Sequence, residues 1–190
     1  NPFDMNMEWD NRDANPLTEK CDLAVSLVES ILGHGRECNA YQVNAIHEAV
    51  ERMYQPYITE MTKRKESAGS STALPDIDTE LCPTLVDFYN ELCKMQSSEA
   101  RALEQAVRPY CVGQYNLFSY KTNVNLHNRV TDFLLCNLPE KMKEFAMKVC
   151  LSFVWNKIVQ NGMENKKLKR RYYVWAIMDE FHLSRKKSTI

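Results

Sequence analysis

Tyr172-Tyr173-Val174-Trp175-Ala176-Ile177-Met178-Asp179-Glu180-Phe181-His182 is the stretch on which the reading of this chain turns. Seven apolar or aromatic residues run into two adjacent carboxylates, and a histidine follows after a single phenylalanine. A segment this apolar on both faces predicts a strand buried in a parallel sheet, with Asp179 and Glu180 delivered to its carboxyl end. Open α/β sheets place their ligands at that end. Paired acids there suit nucleotide hydrolysis. Asp179 would hold Mg²⁺ through water, and Glu180 would orient and deprotonate the attacking water. This is the Walker B arrangement.

A Walker B strand calls for a P-loop, whose G-x-x-x-x-G-K-[ST] pattern offers backbone N–H groups and a lysine to the phosphates. The chain has five glycines, Gly33, Gly35, Gly69, Gly113 and Gly162, and none opens that pattern. Gly162 is followed by Met163-Glu164, and Gly33-His34-Gly35 lacks both the lysine and the hydroxyl. The chain opens at Asn1-Pro2 and stops eight residues after His182. The expectation is an internal piece of a larger protein, lacking Walker A and ending just past Walker B.

Three motifs in order carry a resemblance to a known family. They are Asn1-Pro2-Phe3-Asp4-Met5-Asn6, Lys121-Thr122-Asn123-Val124-Asn125 and Asp179-Glu180-Phe181-His182. The chain resembles the conjugal-transfer ATPases, the large type IV secretion ATPases of conjugative transposons and integrative elements, along almost its whole length. The resemblance implies a partial RecA-like P-loop domain, α/β but predominantly helical, that carries a large all-helical insertion. It implies Mg and ATP as cofactor and substrate of the parent protein, with neither expected bound to this piece alone. The implied partners are other subunits of the same ATPase in a ring, type IV secretion channel proteins and, as an option, DNA. The implied place is the cytoplasm, at the cytoplasmic face of the inner membrane. Without Walker A, this piece alone is expected to be inactive.

Composition sets broad bounds. At 190 residues the chain can hold one substantial core or two small lobes. Hydrophobic residues make up 44% and charged residues 26%, and the formal net charge of -1 argues against a globally basic nucleic-acid binder while leaving room for a local patch. No apolar run approaches the roughly 20 residues that span a bilayer. The seven cysteines, at positions 21, 38, 82, 93, 111, 136 and 150, form no Cys-x-x-Cys. Scattered and odd in number, they read as reduced cytoplasmic thiols rather than a disulfide framework or a zinc site.

Along the chain, residues 1–14 read as the end of a sheet strand and a linker. Residues 15–112 read as the helical insertion, beginning at the Asn15-Pro16 start signal. One helix runs to about Leu32, with Leu17, Cys21, Ala24, Val28 and Ile31 at a period near 3.6, and Gly33-His34-Gly35 ends it. A second carries Val43, Ile46, Val50, Met53 and Tyr57, with a kink or break expected at Pro56. Residues 63–83 read as a polar loop, and two short helices follow around 85–92 and 100–110. Residues 113–190 read as the partial motor core. Short strands are expected at 117–120 and 123–125, then a buried strand at about 129–137, a helix from Pro139 to about Val159, and the strand at 172–179. Strand, helix and strand at this spacing predict a right-handed βαβ unit.

Further residues carry two readings each. His182 is placed to sense a γ-phosphate, to contact a neighbouring subunit, or simply to pack locally. Asp4 follows the expected strand end, where an acid can help position water or cap the next turn. Lys166, Lys167, Lys169, Arg170 and Arg171 form the densest basic run. It suits DNA phosphate or an acidic lipid surface, and equally a solvated loop before a strand. Trp155, Trp175 and the tyrosines are expected in the core. The competing reading of the whole is a non-catalytic helical module that binds a protein helix or DNA.

Overall fold

A computed structural model of the chain describes residues 1–5, 15–33, 36–68, 80–123 and 130–178. Its elements are α1 (Pro16–Leu32), α2 (Ala40–Ala68), α3 (Leu85–Lys94), α4 (Ser98–Cys111), a 3₁₀ turn at Asn116–Phe118, and α5 (Glu140–Leu168). Two compact units divide the chain, Asn1–His127 and Asn128–Ile190.

The first unit is a helical bundle. Local chemistry fixes several of its ends. The Asn15 side chain accepts from Leu17 N–H at 3.0 Å with Pro16 at the first helical position, and Gly33 leaves α1 in a positive-φ conformation (φ 92°). Thr84 and Asp87 form a reciprocal capping box at the start of α3, and Ser97 caps α4. The apolar stripes then meet. α2 packs against α1, α3 and α4, while α4 also packs against α1 and α3. Cys21, Ala24, Leu27 and Val28 of α1, Ile46, Val50, Met53, Tyr54 and Tyr57 of α2, Phe88 and Leu92 of α3, and Leu103 and Val107 of α4 are all buried.

Two features here depart from the sequence reading. α2 passes through Pro56 without ending and continues to Ala68, past the expected loop start at Lys63. Met53, Tyr54, Tyr57 and Met61 are buried on either side of the proline. Packing on that scale outweighs the lost helical hydrogen bond, because most helical stability in proteins comes from a buried face. Residues 117–120, expected as a strand, form the 3₁₀ turn and a bend.

The second unit holds α5. The helix opens with Pro139 at its cap and runs to Leu168, well beyond Val159, ending where Lys169 adopts a left-handed conformation (φ 49°). Met142, Phe145, Ala146 and Val149 are buried, whereas Leu151, Trp155 and Ile158 further along are exposed. Trp155 and Trp175 are surface residues, not core.

The α/β fold class is overturned. The described residues form helices and no strand, so the RecA-like βαβ unit is not present among them. Residues 130–135 and 171–178 have the expected apolar composition, yet neither is helix or ladder, and Val130, Leu134, Tyr173 and Ile177 are exposed. The physical reason is that β-propensity expresses fit to a paired, half-buried surface rather than a backbone preference of its own. A lone apolar segment with no neighbour to receive its N–H and C=O groups is not a strand.

Candidate functional site

Asp179, Glu180 and His182 lie outside the described residues, as do Val124 and Asn125 of the second motif. Asp4 is described, and it sits in the most elaborate polar cluster of the helical unit. Asn1 Nδ2 donates to Asp4 Oδ1 at 2.8 Å and to the Pro83 carbonyl at 2.9 Å, while Phe3 N–H donates back to Asn1 Oδ1 at 3.2 Å. The Thr122 hydroxyl, 118 residues further along the chain, donates to the other oxygen of Asp4. Beside it, Lys121 Nζ donates to the Glu80 carbonyl.

The helices complete the enclosure from below. Phe3 is fully buried, with its ring 5.9 Å from Phe88 and 6.4 Å from Tyr54. The Tyr54 hydroxyl donates to the Phe3 carbonyl at 2.5 Å, and the Tyr57 hydroxyl donates to the Met5 carbonyl at 2.9 Å. Met5 N–H donates to Cys82 Sγ at 3.5 Å. Lys20, on the α1 face that looks into this cluster, donates from Nζ to the Pro2 carbonyl at 3.1 Å. The backbone carbonyls of Pro2, Phe3 and Met5 thus each accept from a side chain of a different position in the bundle.

Burial governs the ionisation of these groups. Removal from water pushes the Lys20 amine down to about 8, and the nearby Asp4 carboxylate, Cys82 and Glu19 only partly oppose it. The same desolvation raises the Cys82 thiol to about 11, against hydrogen bonds from the Met5 backbone and Tyr57. Tyr54 is held well above its ordinary value, again chiefly by burial. A thiol so displaced is a poor nucleophile. Chemically the cluster is an anchor: it holds residues 1–5 rigidly and joins them to residues 80–84 and 121–122.

The basic run is a second feature. Lys166 and Lys167 occupy the last turn of α5, where cations complement the helix dipole. Arg170 is not a free surface cation, since it pairs with Glu164 and lies 4.9 Å over the Tyr172 ring. Asn161 and Asn165 side-chain amides donate to the Tyr172 carbonyl at 2.7 and 2.6 Å, and Tyr172 N–H donates to Asn165 Oδ1 at 3.1 Å. Lys166, Lys167, Lys169 and Arg171 are exposed. Four surface cations within six residues provide a local positive patch on a chain of nearly balanced charge.

A hollow of about 490 Å³ lies between α3 and α4, lined by Leu92, Cys93, Lys94, Arg101, Glu104 and neighbours, and Glu104 accepts from the Tyr89 hydroxyl at 2.9 Å. Among the described residues no group of three or more His, Cys, Asp or Glu side chains could hold a metal ion. All seven cysteines are free thiols. Lys20 and Tyr54 were not singled out from sequence, Tyr57 was read only as part of the α2 stripe, and Cys82 only as one of the scattered thiols. One signal was there to find: Lys20 falls on the apolar stripe of α1, three residues after Leu17 and four before Ala24. A lysine on a core-facing stripe implies a buried partner. Comparison with protein-family models, with curated proteins and with solved structures gave no match.

Proposed function

We propose that this chain is part of an ATP-hydrolysing motor of a conjugative type IV secretion system, powering channel assembly or transfer of DNA or protein. The observation that supports this reading is the meeting of two resemblance motifs. Asn1 and Asp4 of the first motif are hydrogen-bonded to each other, and Asp4 to Thr122 of the second, across more than a hundred residues. Motifs that share one half-buried junction act as parts of one device. In this reading the helical unit of residues 1–127 is the part of the motor that meets neighbouring subunits or channel proteins. Glu180 activates the lytic water and Asp179, a hard oxygen ligand, takes Mg²⁺ through water. His182, two residues after Glu180, senses the γ-phosphate or contacts a neighbouring subunit, and Asp4 helps to position water. The described residues include no helix long and apolar enough to cross a membrane, so work at a membrane face would rest on contacts with other proteins or lipid headgroups.

The test is Glu180→Gln in the full reading frame that contains this chain. Steady-state ATP hydrolysis should fall by about 10²-fold or more, the scale of a lost general base, while nucleotide binding is retained. Turnover at the unmodified rate overturns the assignment.

One observation favours a second reading, a non-catalytic module that binds DNA. Lys166, Lys167, Lys169 and Arg171 are exposed at one end of α5 in a chain whose described residues are helical. Such a module would bind duplex DNA with an affinity that falls steeply with salt, and would do so without nucleotide. Binding that is insensitive to salt, or absent, removes this reading.

A further inference from the structure

The hollow between α3 and α4 brings an apolar surface, a carboxylate and two cations into one space of about 490 Å³. That volume falls in the range of small-molecule sites. Leu92, which is buried, and the half-buried Met95 supply the apolar part. Of the charged groups, two are already engaged within the chain. Lys94 Nζ donates to Glu91 at 2.6 Å, which neutralises that cation. The Tyr89 hydroxyl donates to Oε1 of Glu104 at 2.9 Å and forms a second hydrogen bond with the Cys93 thiol. Arg101 differs. Its guanidinium has no hydrogen bond or ion pair among the described residues.

Arg101 and Glu104 stand three residues apart on α4, so their side chains are neighbours on one face of the helix. They form no ion pair with each other, because Glu104 is turned to Tyr89 on α3. An arginine N-terminal to a glutamate is also the less favourable order for such a pair. The result is a cation and an anion held side by side, each with capacity to spare. Arg101 offers its whole planar fork, and the second oxygen of Glu104 accepts nothing within the chain.

This arrangement sorts ligands by charge. A simple anion gains from Arg101 and is repelled by Glu104, and a simple cation meets the reverse. A zwitterion satisfies both groups at once, with a carboxylate bidentate on the guanidinium and an ammonium on the glutamate. Leu92 and Met95 then favour an apolar substituent, and the Met95 thioether suits an aromatic ring. We propose that the α3–α4 hollow binds a free α-amino acid with an apolar side chain, its carboxylate on Arg101, its ammonium on Glu104 and its side chain against Leu92 and Met95. Tyr89 is a positioning residue in this site, since it keeps Glu104 from closing onto Arg101. The site does not rest on the motor reading.

The experiment is a titration of the 190-residue chain with L-phenylalanine, without nucleotide, followed by ¹⁵N–¹H correlation spectra. Saturable shifts are expected at the backbone amides of residues 92–96 and 101–105, with Kd on the order of 1 mM for so small a ligand. Phenylalaninamide lacks the carboxylate and N-acetylphenylalanine lacks the ammonium, and each should bind at least about tenfold more weakly. Arg101→Gln and Glu104→Gln should weaken phenylalanine binding to a similar degree. Helical circular dichroism should not change, because Arg101 is exposed and a glutamine at 104 keeps an acceptor for the Tyr89 hydroxyl. Alkylation of the exposed Cys93 by iodoacetamide, read on its own peptide by mass spectrometry, should slow when phenylalanine is saturating. Three outcomes overturn the proposal: no saturable shift at these residues by about 20 mM ligand, an amide or N-acetyl derivative that binds as tightly as the zwitterion, or either variant binding as the unmodified chain does. ATP turnover by Glu180→Gln bears on the motor reading alone, so the two ideas fail separately.

Discussion

Lys20 shows how one side chain ties the opening segment to the bundle at a cost. Its amine reaches the Pro2 carbonyl from inside the core, and burial lowers it from 10.5 to about 8 despite the attraction of Asp4. Between about pH 8 and 10.5 the unfolded chain therefore carries a proton that the native chain has released, and stability contributed by this group rises with pH through that window. Below pH 8 the full penalty for keeping a buried ammonium applies, on the order of 3 kcal/mol from the shift. Cys82 works in the opposite sense. Raised from 9.0 to about 11, it favours the native state below pH 9 and loses that contribution as pH climbs through 11. The two effects overlap, so a difference measurement separates them. Lys20→Met keeps the volume but removes the charge, while leaving the Pro2 carbonyl without its donor, a loss of about 1–3 kcal/mol. Urea unfolding at pH 7 should give the variant a stability close to that of the unmodified chain. At pH 9.5 the unmodified chain should gain on the variant by about 2 kcal/mol. A pH-independent difference would show that Lys20 is not desolvated as described.

At the scale of elements, the helices divide into those whose ends are written locally and those whose length is set by packing. α1, α3 and α4 begin at side-chain caps, and their starts are legible from Asn15, Thr84 and Ser97. α2 and α5 are not legible in the same way, since each runs on for about nine residues or more beyond a sequence signal that would end it. The last two turns of α5 contain Gly162, where an added Cβ would meet no atom within 4 Å. Glycine in a helix interior costs roughly 0.5–1 kcal/mol relative to alanine. Gly162→Ala should therefore raise helical content and stabilise the second unit by that amount, read by circular dichroism and thermal unfolding. Destabilisation, or no change in helicity, would place the end of α5 near Val159, as periodicity alone suggests.

For the whole molecule, the division into Asn1–His127 and Asn128–Ile190 carries its own expectation. The first unit has a continuous buried core and the anchor around residues 1–5, so residues 1–127 expressed alone should unfold cooperatively, with coincident near- and far-UV transitions. A non-cooperative, molten fragment would show that its core is incomplete. What the sequence determined by itself was local. Apolar periodicity and caps located the helices of the first unit, and Cys21, Ala24, Val28, Ile46, Val50 and Met53 were all legible as its inner face, because a 3.6-residue repeat is a property of neighbouring residues. The tertiary structure alone decided the rest. It placed Asn1–Met5 among α1, α2 and residues 80–84 rather than at the end of a sheet strand, turned Lys20 inward, and joined Asp4 to Thr122. It also left Tyr172–Met178 uncovered, where composition predicted a buried strand. Periodicity reports which face of a segment is apolar. Whether another segment arrives to cover that face, and which carbonyl a buried amine finds, depends on contacts between residues far apart in the chain, and those are fixed only when the whole bundle closes.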